Sequence, residues 1–395
     1  MIVETTEKSV TINLNEFQVQ AAQTDRNPET GISGVHFALL GLFGEVGSVL
    51  SELKKKRRDQ ESYFAYHDSV IEEFGDVLWY FSNTAGRCGL QLSSIARSAF
   101  RELGTWDEQR SADPATFEDL QHDVSFIGPL SGSSAEFGLI ALAGKVGRLM
   151  DDFACKRIEQ NRDILSGHLI DVFRALIQAA NDAGVSLADC ARHNLAKIVN
   201  RWPNVREYGP LFDKDDDPAE QIPRRIVIDI RERVIGAKSY VRMQCNGINI
   251  GDPLTDNKET EDDYRFHDVF HFANAAVLGW SPVIRALFKV KRKSRPRVDE
   301  TQDGARAILI EEGIATWVFN HAHRLEYFEN IKNLDYSLLK AIRELVTGYE
   351  VQSRPLWQWE EAVLQGYGVF RQLRKNRGGI VVADLVARTI SYQEE

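Results

Sequence analysis

The sequence predicts a mainly α protein: a tandem helical bundle followed by a mostly helical C-terminal domain with a small β-sheet. Three observations predict it. Apolar residues recur at three- and four-residue spacing through the first half of the chain. The pattern that starts at Phe37 starts again at Phe137. β-Branched runs gather in a short stretch, 225–231 and 239–250.

The repeat comes first. FALLGLFGEVGSVL from Phe37 aligns with FGLIALAGKVGRLM from Phe137, with Gly44/Gly144, Val46/Val146 and Gly47/Gly147 in register. Lys56-Arg57 matches Lys156-Arg157, and after a five-residue contraction Asp76-Val77 matches Asp171-Val172 and Gly89 matches Gly184. Within the first copy, Leu39, Leu42, Phe43, Val46, Val49, Leu50 and Leu53 make one apolar helix stripe. Val70, Phe74, Val77, Leu78 and Phe81 make a second. A helical hairpin must bury such a stripe, so two copies closing on each other is the economical architecture.

Two stretches read as linkers: 111–135, with Pro, Gly and Ser, and 213–223, acidic and bracketed by proline. They divide the chain into 1–110, 111–212 and 213–395. In the third part, RIVIDIR and SYVRMQCNGINI read as strand, with Asn246-Gly247 as a turn. Helical patterns follow over 261–278, 281–290, 304–328, 335–351 and 356–374.

Composition bounds the function. The 395 residues are 43% hydrophobic and 27% charged, which excludes wholesale disorder. Lys+Arg 48 against Asp+Glu 58 gives a net charge of −10, unfavourable for general nucleic-acid binding. The basic run 289–297 reads as a solvated loop, or more sharply as an anion or nucleic-acid contact. Cys88, Cys155, Cys190 and Cys245 are widely spaced and form no CxxC, so neither a zinc ribbon nor a disulfide framework is expected. No run reaches the roughly 18 apolar residues of a membrane span, and MIVETTEKSV holds no apolar core of a leader. The expectation is a soluble, cytoplasmic protein, able to form homo-oligomers through its bundle, with no membrane partner.

Glu45 sits in the first stripe, and Glu73 and Asp76 lie three apart on the next helix, hence on one face. Carboxylates converging from two helices make an oxygen-rich site suited to Mg²⁺ and substrate phosphates. Spacing alone also fits a solvated acidic face. The apolar flanks Phe74, Val77, Leu78 and Trp79 favour a cleft, where an unpaired charge is costly.

Residues 12–105 resemble the MazG-like nucleoside triphosphate pyrophosphohydrolases of the all-α NTP pyrophosphatase superfamily, and 137–203 resemble them more weakly. The family pattern is EExxE followed by ExxD. Here Gly44-Glu45-Val46-Gly47-Ser48 occupies the first part and Glu73-Phe74-Gly75-Asp76 the second. The resemblance implies a tandem MazG-like bundle that holds Mg²⁺ or Mn²⁺ on Glu45, Glu73 and Asp76. It implies hydrolysis of a nucleotide substrate to a monophosphate and pyrophosphate. Ser48 stands where the family carries a further glutamate. Glu52, about 10.5 Å along the axis from Glu45, cannot take that place, although it could hold a second ion through water. In the second copy Glu45 becomes Lys145 and Glu73 becomes His168, so only Asp171 survives. That copy ends instead with Asn194, Lys197 and Arg201, similar to the family's terminal N-x-x-K-x-x-x-R substrate segment. The joint pattern implies one site per chain, with acids from the first copy and substrate contacts from the second.

Nothing in 213–395 resembles that family. It carries His267-Asp268-Val269-Phe270-His271 and, further on, Glu311-Glu312-Gly313-Ile314-Ala315. Two histidines one turn apart plus a carboxylate from a second helix can bind Zn²⁺ or another divalent ion. The layout is similar to the zinc-peptidase HExxH with a later EEGxA, which makes His267, His271 and Glu312 the candidate ligands. Asp268, one methylene shorter than the family's glutamate, stands as a possible base. Histidines packed on an aromatic helix are the plainer alternative. The favoured function is Mg²⁺-dependent nucleotide pyrophosphohydrolysis. The alternative is a nucleotide-binding sensor that has lost turnover, with the third part as a metal-dependent, zincin-like effector.

Overall fold

The computed structural model describes residues 11–101, 113–121, 133–158 and 162–394. It divides into two compact units at the Trp202/Pro203 junction. The N-terminal ten residues and much of the stretch 111–135 lie outside the described residues.

The first unit is a helical bundle. Asn13 caps α1 (Leu14–Thr24), its Oδ1 accepting from the Asn15 and Glu16 amides, and Leu14, Phe17 and Ala21 enter the core. The long α2 (Gly31–Asp59) buries Leu39, Leu42, Val46, Val49 and Leu53, the stripe expected from their spacing. Its last turn carries Lys56, Arg57 and Arg58, which complement the helix dipole. The segment Gly31–Ser62 is long and apolar enough by composition to cross a membrane. Here its buried stripe packs against α3 (Tyr66–Arg87) within the bundle core.

α3 ends at Gly89, held left-handed at φ 69°, with the Leu90 amide donating to Ala85 O. After α4 (Leu92–Arg101) the second half repeats the plan. Helices α5 (Ser133–Ala154) and α6 (Arg162–Asp182) form a hairpin, and α6 ends at Gly184, φ 64°, with the Val185 amide donating to Ala180 O. These are matched helix terminations, in which a left-handed glycine lets a downstream amide satisfy a freed carbonyl. The third helices cross over. α7 (Leu187–Arg201) packs along α3 of the first half, and α4 packs along α6 of the second. One continuous core results, with Phe81 of α3 stacked on Phe173 of α6 at 5.1 Å.

Part of 111–135 departs from a linker. Phe117 is buried edge-on against Phe17, and Gln121 bonds Val185 O and the Leu187 amide at the start of α7. An aromatic and a buried amide with these partners outweigh the local turn composition.

The second unit is built on an antiparallel sheet of order β3-β2-β1-β4-β5. Ile226, Ile228 and Ile230 of β1 (Arg225–Ile235) alternate inward. Asn246-Gly247, at φ 51° and 77°, turns β2 (Lys238–Cys245) into β3 (Ile248–Leu254). Helices α8 (Asp268–Ala273), α9 (Pro282–Phe288), α10 (Pro296–Thr301), α11 (Ala305–Ala322), α12 (Tyr336–Leu345) and α13 (Leu356–Asn376) follow. The chain then returns as β4 (Gly378–Asp384) and β5 (Thr389–Gln393). The architecture is mainly α with a small sheet, as expected, but half of that sheet's completion comes from the C-terminal strands. β4 pairs with β1 through Ile228↔Val381.

The acidic stretch 213–223 is packed into this unit. Asp213 is buried between Arg224 and Arg285, and Ile222 joins the core. The basic run is likewise not wholly a solvated loop: Arg292 is fully buried against Asp303 and Glu350. Paired charge lets both segments leave water.

Candidate functional site

In the first unit, the hairpin of α2 and α3 sets Glu45 opposite Glu73 and Asp76. One carboxylate oxygen from each lies within 4.8 Å of the others. A fourth acid, Glu72, stands 3.7 Å from Lys197 Nζ. Lys197 and Asn194 arrive from α7. Asn194 Nδ2 donates to Asp76 Oδ1 at 2.8 Å, and Lys197 Nζ donates to both carboxylate oxygens of Asp76, 2.5 Å from Oδ2. Gly75 makes this approach feasible: a Cβ there would fall 2.8 Å from Cys190 O and 3.0 Å from Asn194 Cβ.

The electrostatics follow from the crowding. Burial, then the charges of Asp76 and Glu45, push Glu73 up to about 8. Burial and Asp76 likewise raise Glu45, against the opposing pull of a hydrogen bond from Glu73. Burial raises Asp76 as well, against the pull of Lys197 and Asn194. Lys197 therefore meets Asp76 and Glu72 beside Glu45 and Glu73, a hard-oxygen donor set.

The corresponding place in the second half resolves its charge internally. Lys145 Nζ lies 2.6 Å from Asp171 Oδ2, and Arg174 Nη1 3.0 Å from Asp171 Oδ1. Partial burial pushes Asp171 up, but Lys145 and Arg174 outweigh it and leave the carboxyl below its usual value. His168 Nε2 is 2.6 Å from Asp152 Oδ2.

Two other candidates have contacts outside the acidic trio. Glu52 is bound by Lys55, at 2.5 Å, and by the Tyr63 hydroxyl. Seven residues of helix separate it from Glu45, and its charge is already matched. Arg201 lays its guanidinium over the Trp202 ring at 4.3 Å. Glu72 was not among the sequence candidates, although the Glu72-Glu73 doublet was visible.

In the second unit, His267 precedes α8 as its N-cap and His271 lies within it, and Glu311 and Glu312 come from α11. Glu312 Oε2 lies 3.7 Å from His267 Nε2 and 3.4 Å from His271 Nε2. Asp268 Oδ1 is 3.3 Å from His267 Nε2. Glu311, by contrast, faces the other nitrogen, with Oε1 3.1 Å from His271 Nδ1. Burial pushes His267 down. Burial also opposes charge on His271, but Glu311 and Glu312 outweigh it and lift that ring well above the usual histidine range.

Residues 207–395, the C-terminal unit almost in full, match the MazG C-terminal domain family. The C-terminal unit is MazG-like. The match lies in the part that showed no likeness to the MazG enzymes by motif, so that reading of 213–395 is corrected. Over 98 residues the chain is 28% identical to the gene 37 protein of Mycobacterium phage L5, covering 23% of this chain and 86% of that protein. No solved structure matches it.

Proposed function

We propose that the bundle hydrolyses a nucleoside triphosphate, NTP or dNTP, to the monophosphate and pyrophosphate, with one site per chain. The observation that carries this reading is the convergence of Glu45, Glu73 and Asp76 within 4.8 Å, under a lysine delivered from the other half of the bundle. The donor set fits a divalent ion: all oxygen, from two rigid helices, with excess negative charge. Mg²⁺ or Mn²⁺, when bound there, supplies neutralisation of the phosphates and activation of water. Glu45, Glu73 and Asp76 hold the ion, while Lys197 and Asn194 orient the polyphosphate from the α7 side. Water adds to the α-phosphorus, the bond from that phosphorus to the bridging oxygen breaks, and pyrophosphate leaves. The second half, with Lys145 in place of the first half's Glu45, supports an asymmetric origin by duplication in which only one half retains an ion site.

The test is pyrophosphate release from a panel of common NTPs and dNTPs with Mg²⁺ or Mn²⁺. Activity is expected for at least one nucleotide, and its loss in Asp76→Asn. One observation favours a second reading, a nucleotide-binding sensor with an effector C-terminal unit: Ser48 takes a position that would otherwise bring another carboxylate. Nucleotide binding without pyrophosphate release across the whole panel would select the sensor.

A further inference from the structure

We propose that the C-terminal unit holds a second, separate metal centre, a borderline transition-metal ion such as Zn²⁺, bound by His267, His271 and Glu312 with Asp268 completing the set. The argument starts from the two imidazoles. Both rings direct Nε2 toward the same carboxylate oxygen, Glu312 Oε2, at 3.7 and 3.4 Å, and Asp268 Oδ1 lies 3.3 Å from His267 Nε2. Metal–ligand bonds of about 2.0–2.1 Å place neighbouring donors about 3.3 Å apart around a tetrahedron. These three separations are close to that edge, and His267, Asp268 and His271 each offer a donor within 4.8 Å of the others.

The outward nitrogens face acceptors, as those of ligand histidines do. His267 Nδ1 lies 2.9 Å from Tyr264 O, and the Tyr264 ring stacks on His267 at 4.2 Å with 2° between planes. The Tyr264 hydroxyl is itself 2.7 Å from Thr316 Oγ1 on α11. His271 is fully buried, with Glu311 Oε1 3.1 Å from Nδ1. Glu311 is also fully buried and accepts from Asn274 Nδ2, Ser281 Oγ and the Val283 amide. A carboxylate fixed by three donors behind a histidine is the arrangement that orients a metal ligand and strengthens it as a donor.

A second observation points to a ligand. Neither nitrogen of His271 has an aligned hydrogen bond, although the ring is 0% exposed. Buried polar atoms in that condition are costly, and an ion beside Nε2 would satisfy the inward one. The chain also widens into a π-helix, Asn274–Leu278, directly after α8, a distortion that recurs at functional sites. Two nitrogens among four donors favour Zn²⁺ and its neighbours over Mg²⁺. Glu312, 38% exposed in its side chain, leaves the centre open to exchange from one side.

The experiment is elemental analysis of the full-length chain, stripped with chelator, reconstituted with Zn²⁺ and dialysed. About one Zn²⁺ per chain is expected in wild type and in Asp76→Asn, which separates this centre from the nucleotide site. His271→Ala should hold almost none. Because His271 is a core residue, Glu312→Gln serves as the milder variant, and its Zn²⁺ affinity should fall about 10-fold or more. Glu311→Gln, acting only through His271, should weaken binding by about 10–100-fold. Co²⁺ substitution should produce the intense visible bands of a four-coordinate ion in wild type and lose them in Glu312→Gln. Wild-type protein that retains no Zn²⁺ or Co²⁺ after reconstitution, or retention undiminished in Glu312→Gln, would overturn the proposal. Neither result touches the pyrophosphohydrolase reading.

Discussion

Lys197 on α7 donates to both carboxylate oxygens of Asp76 on α3, a bond between residues 121 positions apart in sequence. It joins the acidic half of the bundle to the basic end of the other half. It also occupies the place where a polyphosphate would approach.

Replacing Lys197 by alanine should therefore split two properties. Removing a charge-assisted contact of about 1.5–3 kcal/mol should raise the nucleotide KM roughly 10–100-fold. Mg²⁺ should bind the free protein more tightly, because Asp76 loses its competing cation. Steady-state kinetics and calorimetric Mg²⁺ titration read the two effects, and parallel weakening of both would contradict this role.

The pH dependence follows from Glu73 at about 8 and from the raised Glu45. In the metal-free protein Glu73 holds its proton in the folded state across the window from about 4.5, its ordinary value, to about 8, and the raised Glu45 acts in the same direction. The unfolded chain binds fewer protons there, so stability falls as pH rises through that window. Divalent ions need the deprotonated forms, so Mg²⁺ affinity should climb over the same range. Thermal melts at pH 5 through 9 without metal should decline, and saturating Mg²⁺ should reduce the decline. A metal-independent melting profile would argue against an ion at these acids.

Gly75→Ala tests the approach of α7. The added methyl meets backbone at 2.8 Å, a contact that no side-chain rotation relieves. A cost of about 1–3 kcal/mol is expected from such overpacking. Activity should drop further than stability, because Asn194 and Lys197 shift with the helix. Denaturant midpoints and turnover measured on the same preparation would expose that difference.

Lys145→Glu probes the second half. It leaves Asp171 with Arg174 but without its lysine, and Ser48's counterpart Arg148 supplies no acid. Stability should fall modestly, with no second nucleotide site created. A doubling of bound Mg²⁺ per chain would refute this expectation.

Local pattern carried much of this architecture. The stripe from Leu39 to Leu53 and the left-handed Gly89 and Gly184 are short-range features, and each is legible as periodicity or as punctuation. The strands β4 and β5 were missed because their partners lie far away: Val381 pairs with Ile228, across the whole C-terminal unit. Charge misled for a similar reason. Asp213 and Arg292 look solvated in isolation and are buried only because Arg285 and Asp303 reach them from elsewhere. Glu45, Glu73 and Asp76 were readable from spacing, whereas the clamp on Glu52 required seeing Tyr63 fold back. The distinct duties of Glu311 and Glu312 depend on helical phase, which adjacent letters do not reveal.

The exchange of third helices has a consequence for how such a chain can change over time. Each half lends a helix and borrows one, so deleting either half strips the other of a wall as well as of a neighbour. A fragment ending near residue 101 would keep every acid yet lose Asn194 and Lys197 and leave Gly75's groove open to water. On the proposed function, the two halves are therefore interdependent: one carries the acids and the other the lysine and asparagine that reach them.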